Sequence, residues 1–356
     1  MTAKLTRSRP VQAAALLLLI GLAVSLVWWR GPDWRLVYHA FDFVNWAWIV
    51  FALALNLASV LARALAWQLT IVQALDPPDP PFHRTFSAFA VGLLGNAVLP
   101  GRIGELARVA VLRRHLTTHG RGTSAALVGT VFAHRLFDLF PALLLVAYVL
   151  STAKIPHWAV TSLLIVSALG IGLFAAAMIS ARRRHRPALA DAKPVQRLLA
   201  MARQGLSVMK APAPAAGAIL LQCLGWFLQL LAVYVALRAF DIHAPLPAAG
   251  LVLLLMNVAT IFPLWPGNIG LLQAAVALPL VQYGVAYSTG FAYGLVLQVI
   301  EMSVGVGVGL LFLAREGLSF ATLREMPETV DLPEESGEPM EEREREAPRA
   351  RAGVSG

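Results

Sequence analysis

Residues 100–106 read Pro-Gly-Arg-Ile-Gly-Glu-Leu, and residues 266–272 read Pro-Gly-Asn-Ile-Gly-Leu-Leu. Five of the seven positions are identical, and each copy interrupts apolar sequence and begins a second, shorter apolar segment. In membrane proteins, paired Gly/Pro breaks at corresponding places in two halves are typical of broken helices around a central site. The two phrases therefore predict a membrane protein built from two related halves.

The composition favours the same class of protein. The chain is 58% hydrophobic and 14% charged, whereas soluble domains carry about 25% charged residues. Its mean hydropathy is +0.67, and several runs exceed the ~20 apolar residues that cross a bilayer. The net charge of +9 does not indicate nucleic-acid binding, because the basic residues lie between the apolar runs, where membrane topology places them. We expect no nucleic-acid partner.

The apolar runs and their breaks divide the chain into a membrane domain and a tail. We predict an all-α, polytopic membrane domain over residues 1–314 and a disordered, charged tail over 315–356, which is rich in Glu, Arg and Pro. The predicted parts of the domain are a first span at 11–29, a first repeat at 44–150, a linking span at 158–180, a basic cytoplasmic segment at 181–211 and a second repeat at 214–314.

Each repeat is predicted to contain a re-entrant hairpin with a broken helix. The arms 82–99 and 100–112 of the first repeat, and 247–262 and 266–283 of the second, are shorter than the remaining spans. Irregular backbone at membrane depth is tolerated where it is buried in protein or lines a wet cavity.

The distribution of basic residues predicts the orientation. The stretches 1–10, 76–84, 113–121 and 181–211 hold fifteen Lys and Arg, whereas 30–42, 151–157 and 238–246 hold four. The positive-inside rule places the first set in the cytoplasm. We therefore expect a multi-pass protein of the bacterial inner (plasma) membrane with both termini cytoplasmic. The two hairpins then enter from opposite faces, which predicts an inverted-topology repeat.

The first Pro-Gly phrase carries charge at a predicted helix start. Such a start presents free N–H groups and a partial positive charge, which suit a phosphate or a carboxylate. Arg102 and Arg108 add full charge, and Glu105 lies three residues from each, so it can pair with either on a helix. Two interpretations remain open: a tight packing turn with a self-neutralising cluster, and a site for an anionic headgroup.

Further charges lie within the predicted spans. Arg135 and Asp138 are three residues apart, which suits either a structural ion pair or a substrate pathway. Glu301 lies at the matching place in the second half, where a lone acid can couple to protons. Arg63 either snorkels or pairs with Glu301 or Asp138.

The predicted substrate-binding residues come from the two phrases and from these spans. They are Pro100, Gly101, Arg102, Gly104, Glu105, Arg108, Arg135, Asp138, Pro266, Gly267, Asn268, Gly270, Gln273 and Glu301.

Enzymatic motifs are absent from the sequence. No Gly-x-Ser-x-Gly, Walker or His-Glu-x-x-His pattern occurs. The single Cys223 excludes an intrachain disulfide and a cysteine metal cluster. We therefore expect no enzymatic activity, no catalytic residues, no metal and no cofactor.

Three stretches resemble one family. Residues 99–108, Leu-Pro-Gly-Arg-Ile-Gly-Glu-Leu-Ala-Arg, resemble the first signature of the lysylphosphatidylglycerol synthase transmembrane-domain family, a flippase-like group. Residues 263–273, Pro-Leu-Trp-Pro-Gly-Asn-Ile-Gly-Leu-Leu-Gln, are similar to its second signature, and 134–138, His-Arg-Leu-Phe-Asp, resemble its Glu-Arg-x-x-Asp stretch. The resemblance covers roughly residues 10–315 and is most specific at the first signature.

The resemblance implies an integral inner-membrane protein that handles lipids. In bifunctional members this domain moves aminoacylated phosphatidylglycerol between leaflets, and stand-alone members are tied to hopanoid or glycolipid pathways. We expect a stand-alone member without the aminoacyltransferase domain. Three positions depart from the family pattern: Gln273 and His134 replace Glu, and Gln298 lies near the place of an Arg. The departures imply a less charged headgroup or weakened transport.

Two functions of different classes follow as hypotheses. The first is a lipid flippase or translocase that moves or binds a phosphate-bearing headgroup, with anionic membrane lipids as partners. The second is a non-transporting scaffold, in which the basic segment and the acidic tail recruit a lipid- or hopanoid-synthesis enzyme. An intramembrane lipid-modifying enzyme that uses Asp138 or Glu301 is a third reading. The sequence predicts no oligomeric state.

Overall fold

The computed structural model describes residues 21, 32–75, 80–98, 104–116, 123–182, 212–261 and 268–319. Apart from Gly21, the predicted first span lies outside these residues, as do most of the basic segment and the tail from residue 320. Pro100, Gly101, Arg102, Pro266 and Gly267 of the two phrases also lie outside them.

All regular structure in the described residues is helical, which confirms the predicted all-α class. The helices are α1 (Trp34–Ala40), α2 (Trp46–Ala74), α3 (Phe82–Val98), α4 (Gly104–Arg114), α5 (Thr123–Phe137), α6 (Leu139–Thr152), α7 (His157–Arg182), α8 (Pro212–Ala239), α9 (Leu246–Ile261), α10 (Leu271–Val281), α11 (Tyr287–Met302), a π-helical segment (Ser303–Val308) and α12 (Gly309–Arg315).

Five helical stretches of the described chain are long and apolar enough to cross a membrane. They are Trp46–Ala74, Ala126–Thr152, His157–Ala176, Pro212–Ala239 and Tyr287–Arg315. The predicted hairpin arms are shorter: α3 and α4 have 17 and 11 residues, and α9 and α10 have 16 and 11. The multi-pass membrane architecture is confirmed, and the re-entrant course of the hairpins stays a prediction.

The two halves contain helices of matching length in the same order. Helix α2 has 29 residues and α8 has 28, and each is followed by two short arms and by a long interrupted helix. Helices α2 and α8 run antiparallel, since the Asn45 N–H donates to the Ala239 carbonyl at 2.9 Å and the Ser59 hydroxyl donates to the Gly225 carbonyl at 2.7 Å.

The Ser59–Gly225 contact also bears on the predicted repeat. These residues are 166 positions apart, which is the separation of the two Pro-Gly phrases in the sequence. A residue that touches its own counterpart lies beside the axis that relates two copies. The contact supports the inverted repeat, whose boundaries at 44–150 and 214–314 stay a prediction.

Both long interrupted helices break near the cavity described below. Pro141 has no N–H to donate to the carbonyl of Phe137, and α5 ends at Phe137. The last part of the first repeat is therefore two helices, α5 and α6, joined at Asp138. In the second half, the π-helical segment begins directly after α11.

The glycines of the last span differ in their surroundings. A Cβ on Gly309 would lie 2.5 Å from the Leu94 Cβ, so Gly309 packs closely on α3. A Cβ on Gly305 or Gly307 would meet no described atom within 4 Å. Among these three glycines, only Gly309 is therefore in close contact with a neighbouring helix of the described chain.

Glycines also allow α3 and α4 to touch through their backbones. A Cβ on Gly104 would overlap the Gly92 carbonyl oxygen and the backbone of Asn96. A Cβ on Gly95 would lie 2.7 Å from the Gly104 Cα. The second glycine of the first phrase is thus required by the packing of the two hairpin arms.

We expect Gly104→Ala to lower the melting temperature of the detergent-solubilised protein, because overpacking costs about 1–3 kcal/mol. Gly172→Ala is the matched control, since no described atom lies within 4 Å of its Cβ position. Thermal unfolding followed by size-exclusion chromatography measures both. Equal melting temperatures for the two variants would contradict the packing role of Gly104.

Candidate functional site

A cavity of about 350 Å³ lies between the two halves of the protein. Helices of both halves supply its walls, and several of the side chains are polar or charged. The cavity is lined by Asn56, Ser59, Val60, Arg63, Phe89, Leu93, Asn96, His134, Arg135, Gln229, Thr260, Glu301, Val304 and Gly305. Arg135 and Glu301 are the predicted site residues that lie in this lining.

Glu105, in the first turn of α4, joins three other residues beside the cavity. Its Oε2 lies 2.6 Å from the Arg108 Nη2. Its Oε1 accepts hydrogen bonds from both the Nε (2.9 Å) and the Nη2 of Arg135. It also accepts one from the Asn96 amide at 3.2 Å. The i,i+3 pairing of Glu105 with Arg108 is therefore present, and Arg135 is a second cationic partner from α5.

Arg108 is buried behind this carboxylate and does not line the cavity. Its side chain is 3% exposed, and its guanidinium carbon lies 4.6 Å from the centre of the Trp67 ring and 5.6 Å from that of Phe89. Aromatic faces attract a cation, and Glu105 balances its charge. Arg108 thus fixes the position of Glu105.

Arg135 connects the Glu105 cluster to the break in the long helix. Its Nη1 donates to the Asp138 Oδ2 at 3.2 Å. The other oxygen of Asp138 accepts from the Gln222 amide at 2.5 Å and from the Trp226 indole at 3.0 Å, both on α8. The Arg135 side chain is nonetheless 42% exposed. The predicted ion pair is present, and its cation faces the cavity.

Arg63, on α2, lines the same cavity and bonds to an amide. Its Nη2 donates to the Gln229 side-chain oxygen, and the Gln229 Nε2 donates to the Glu301 Oε1 at 3.3 Å. Gly225 leaves room for Arg63, since a Cβ there would lie 2.8 Å from the Arg63 Cγ. Gln229 therefore bridges Arg63 and Glu301, whereas the sequence predicted snorkelling or a direct pair.

His134 joins α5 to α2 beside Arg63. Its Nε2 donates to the Arg63 carbonyl at 3.1 Å, and its ring lies edge-on to Phe89 with centroids 5.9 Å apart. The residue is 2% exposed. These contacts fit the structural role of a bundle histidine.

The described part of the second phrase forms a neutral turn. Asn268 adopts φ +46° and Gly270 φ +91°, and the Asn268 amide donates to the Ala259 carbonyl at 3.0 Å. The Gly270 N–H donates to the Gln273 side-chain oxygen at 2.6 Å. The Gln273 amide in turn donates to Gln298 at 2.5 Å. These residues close the turn, and they do not belong to the cavity lining.

The predicted residues thus fall into groups. Gly104, Glu105, Arg108, Arg135 and Asp138 lie together in the first half, and Glu301 reaches the cavity from the second. Asn268, Gly270 and Gln273 are apart from them, and the remaining five lie outside the described residues. Sequence reasoning missed Asn96, Gln222, Trp226 and Gln229. A polar side chain inside an apolar run was the signal that could have identified the three amides.

The fixed charges of this region balance. The described residues around the cavity include three arginines (Arg63, Arg108 and Arg135) and three acids (Glu105, Asp138 and Glu301). No group of His, Cys, Asp and Glu suited to hold a metal occurs in the described part of the chain.

Comparison with known proteins identifies a family. The family model described as "Lysylphosphatidylglycerol synthase TM region" matches residues 12–309. No curated protein and no solved structure matches the chain.

We expect Glu105→Gln to lower the free energy of unfolding by about 3–5 kcal/mol, because removal of one member of a buried pair leaves a buried charge unbalanced. Asp42→Asn is the control, because Asp42 is half exposed in its pair with His39, and such pairs contribute about 0–1 kcal/mol. Unfolding by SDS in mixed micelles measures both variants.

Adding Arg108→Gln to Glu105→Gln should cost less than the sum of the two single substitutions, since the double variant removes both charges of the pair. Additive losses would show that the ion pair does not stabilise this cluster.

Proposed function

The chain belongs to the lysylphosphatidylglycerol synthase transmembrane-region family, and from this membership we propose that it binds a phosphate-bearing lipid headgroup in the central cavity and moves it between the leaflets of the bacterial inner membrane. The family places the protein among multi-pass membrane proteins of lipid metabolism or translocation. To this family-level statement we add three points: the substrate carries a phosphate headgroup, the headgroup binds in the cavity, and the protein transports the lipid without enzymatic activity.

The observation that carries the proposal is the position of Arg135. Arg135 lines the cavity, and its side chain is 42% exposed although it contacts two carboxylates. A guanidinium matches the geometry of phosphate oxygens and keeps its charge in a poorly hydrated site. Arg63 lines the same cavity from α2 and bonds to a neutral amide. The two arginines together offer a phosphate two cationic contacts.

The cavity also has the size and location that a headgroup requires. Its volume of about 350 Å³ lies within the range of small-molecule pockets. Its walls come from both halves, which is where transporters with internal repeats bind substrate. The acyl chains would remain in the lipid while the headgroup crosses through the protein.

Arg102 and Arg108 have different roles in the proposed site. Arg102 lies two residues before Gly104 in the sequence, outside the described residues, and we propose it as a headgroup ligand on the basis of the sequence alone. Arg108 is buried against Trp67, so its contribution is to hold Glu105, which in turn orients Arg135. The anion contacts are thus assigned to Arg63, Arg102 and Arg135.

We expect Arg135→Gln to slow lipid movement at least about tenfold, because charge-assisted hydrogen bonds contribute about 1.5–3 kcal/mol. Glu105 keeps Arg108 as its partner, but Asp138 loses the cation that it contacts among the described residues. Thermal unfolding is therefore measured first, and rates are compared only for folded Arg135→Gln. Arg238→Gln is the matched control, because Arg238 bonds to Tyr234 outside the cavity lining.

The measurement is the leaflet distribution of acyl-labelled lipids in proteoliposomes. The panel holds phosphatidylglycerol, phosphatidylethanolamine and a phosphate-free glycolipid. Movement of the phosphate lipids alone, lost in Arg135→Gln, supports the proposal. Equal movement of the glycolipid, or a wild-type rate in Arg135→Gln, contradicts it. No movement of any lipid favours the scaffold hypothesis.

A further inference from the structure

Three carboxyl groups surround the cavity, and their partners differ. Glu105 contacts Arg108 and Arg135. Asp138 contacts Arg135, with two further donors on α8. Among the described residues, Glu301 is hydrogen-bonded only to the amide of Gln229 and has no cation within ion-pair distance.

This difference decides which carboxyl can exchange a proton. A carboxylate inside a membrane is costly unless a cation balances it. Protonation of Glu105 would leave Arg108 without its counter-charge, which is strongly unfavourable in a buried site. Protonation of Asp138 would break its ion pair with Arg135. Protonation of Glu301 breaks no ion pair among the described residues. Glu301 also lines the cavity, through which a proton can reach it.

The other groups around Glu301 fix the electrostatics of this site. Arg63 on α2 and Arg135 and His134 on α5 line the same cavity. The described lining residues on α3, α8 and α9 include the neutral Asn96, Gln229 and Thr260. Arg63 favours the charged form of Glu301, but Gln229 lies between them. His134 is 2% exposed, and its Nε2 is engaged with the Arg63 carbonyl.

We propose that Glu301 is a proton-binding site of the cavity and that a proton and the phosphate of the headgroup bind together. This inference rests on the proposed function. A phosphate and an ionised carboxylate in one poorly hydrated cavity repel each other. Binding of the phosphate therefore favours protonation of Glu301, and protonation of Glu301 favours binding of the phosphate, because linkage between two sites is reciprocal.

Gln229 is the positioning residue of this coupling. Its oxygen accepts from Arg63 and its nitrogen donates to Glu301. When Glu301 is ionised, its charge attracts Arg63 through the oriented amide. When Glu301 is neutral, the guanidinium is free to favour the phosphate. The proton moves between cavity water and a Glu301 carboxylate oxygen, and no covalent bond to the lipid changes.

The test is the binding of dioctanoylphosphatidylglycerol to the full chain in detergent, measured by calorimetry between about pH 5 and 8. The phosphodiester stays singly charged over this range. Affinity in the wild type should fall about tenfold or more as the pH rises. Calorimetry in two buffers with different ionisation enthalpies should show proton uptake on binding.

Glu301→Gln should bind the lipid with an affinity that does not change with pH and without proton uptake. Glu316→Gln is the matched control: Glu316 lies just after α12, bonds to His115 and Ser87, and is outside the cavity lining. Its binding should follow the pH as in the wild type. Thermal unfolding confirms that each variant is folded.

The outcomes separate this inference from the proposed function. Binding that is independent of pH in the wild type, or that keeps its pH dependence in Glu301→Gln, overturns the proton site alone. Loss of the pH dependence in His134→Gln but not in Glu301→Gln would assign the proton to His134 and overturns it equally. Absence of lipid binding at every pH overturns the proposed function and this inference with it.

Discussion

Glu105 holds two guanidinium groups at once, and the arrangement around the cavity depends on this double pairing. Arg108 belongs to the helix of Glu105, whereas Arg135 belongs to α5. One carboxylate therefore fastens the short hairpin arm to the long helix beside it. From Arg135 the network continues through Asp138 to Gln222 and Trp226 on α8. A single acid in the first turn of α4 thus links elements from both halves, and it does so where unpaired charge is least tolerated.

Much of the fold could be predicted from the sequence because its signals are local. Apolar runs, Pro/Gly breaks and basic loops predict where helices begin and end without knowledge of the packing. The i,i+3 spacings of Glu105 with Arg108 and of Arg135 with Asp138 predicted two contacts that the structure contains.

The contacts that define the cavity join residues that are far apart in the sequence. Arg63 meets Gln229 over 166 positions, and Asp138 meets Trp226 over 88. These depend on how two long helices cross, which periodicity does not encode. The burial of Arg108 under Trp67 has the same origin, since only the packed structure shows which cation is covered by aromatic rings.

The structure gives a physical reason for two of the departures from the family pattern. Gln273 occupies a place where the resemblance implies Glu, and Gln298 lies near the place of an Arg. The two amides bond to each other at 2.5 Å. Removal of one charge of a buried pair leaves the other charge unbalanced and is destabilising, whereas replacement of both by neutral partners is often tolerated. The second hairpin is therefore fastened to the last long helix by a neutral bond at a place comparable to the charged bond of Glu105 with Arg135 in the first. The net charge of the region stays the same, because a pair of opposite charges in the family pattern is replaced by a neutral pair.

The lone carboxyl of Glu301 in the cavity has an electrical consequence for the proposed transport. Each elementary charge that crosses the membrane potential gains or loses about 2.3 kcal/mol per 100 mV. A phosphate monoanion that moved alone would therefore be driven outward or held back by the voltage of the cell. A phosphate that enters with one proton leaves the net charge of the loaded protein equal to that of the empty one. Such a carrier would work at nearly the same rate in an energised and in a depolarised membrane, and the gradients of lipid and of pH would decide the direction of net movement.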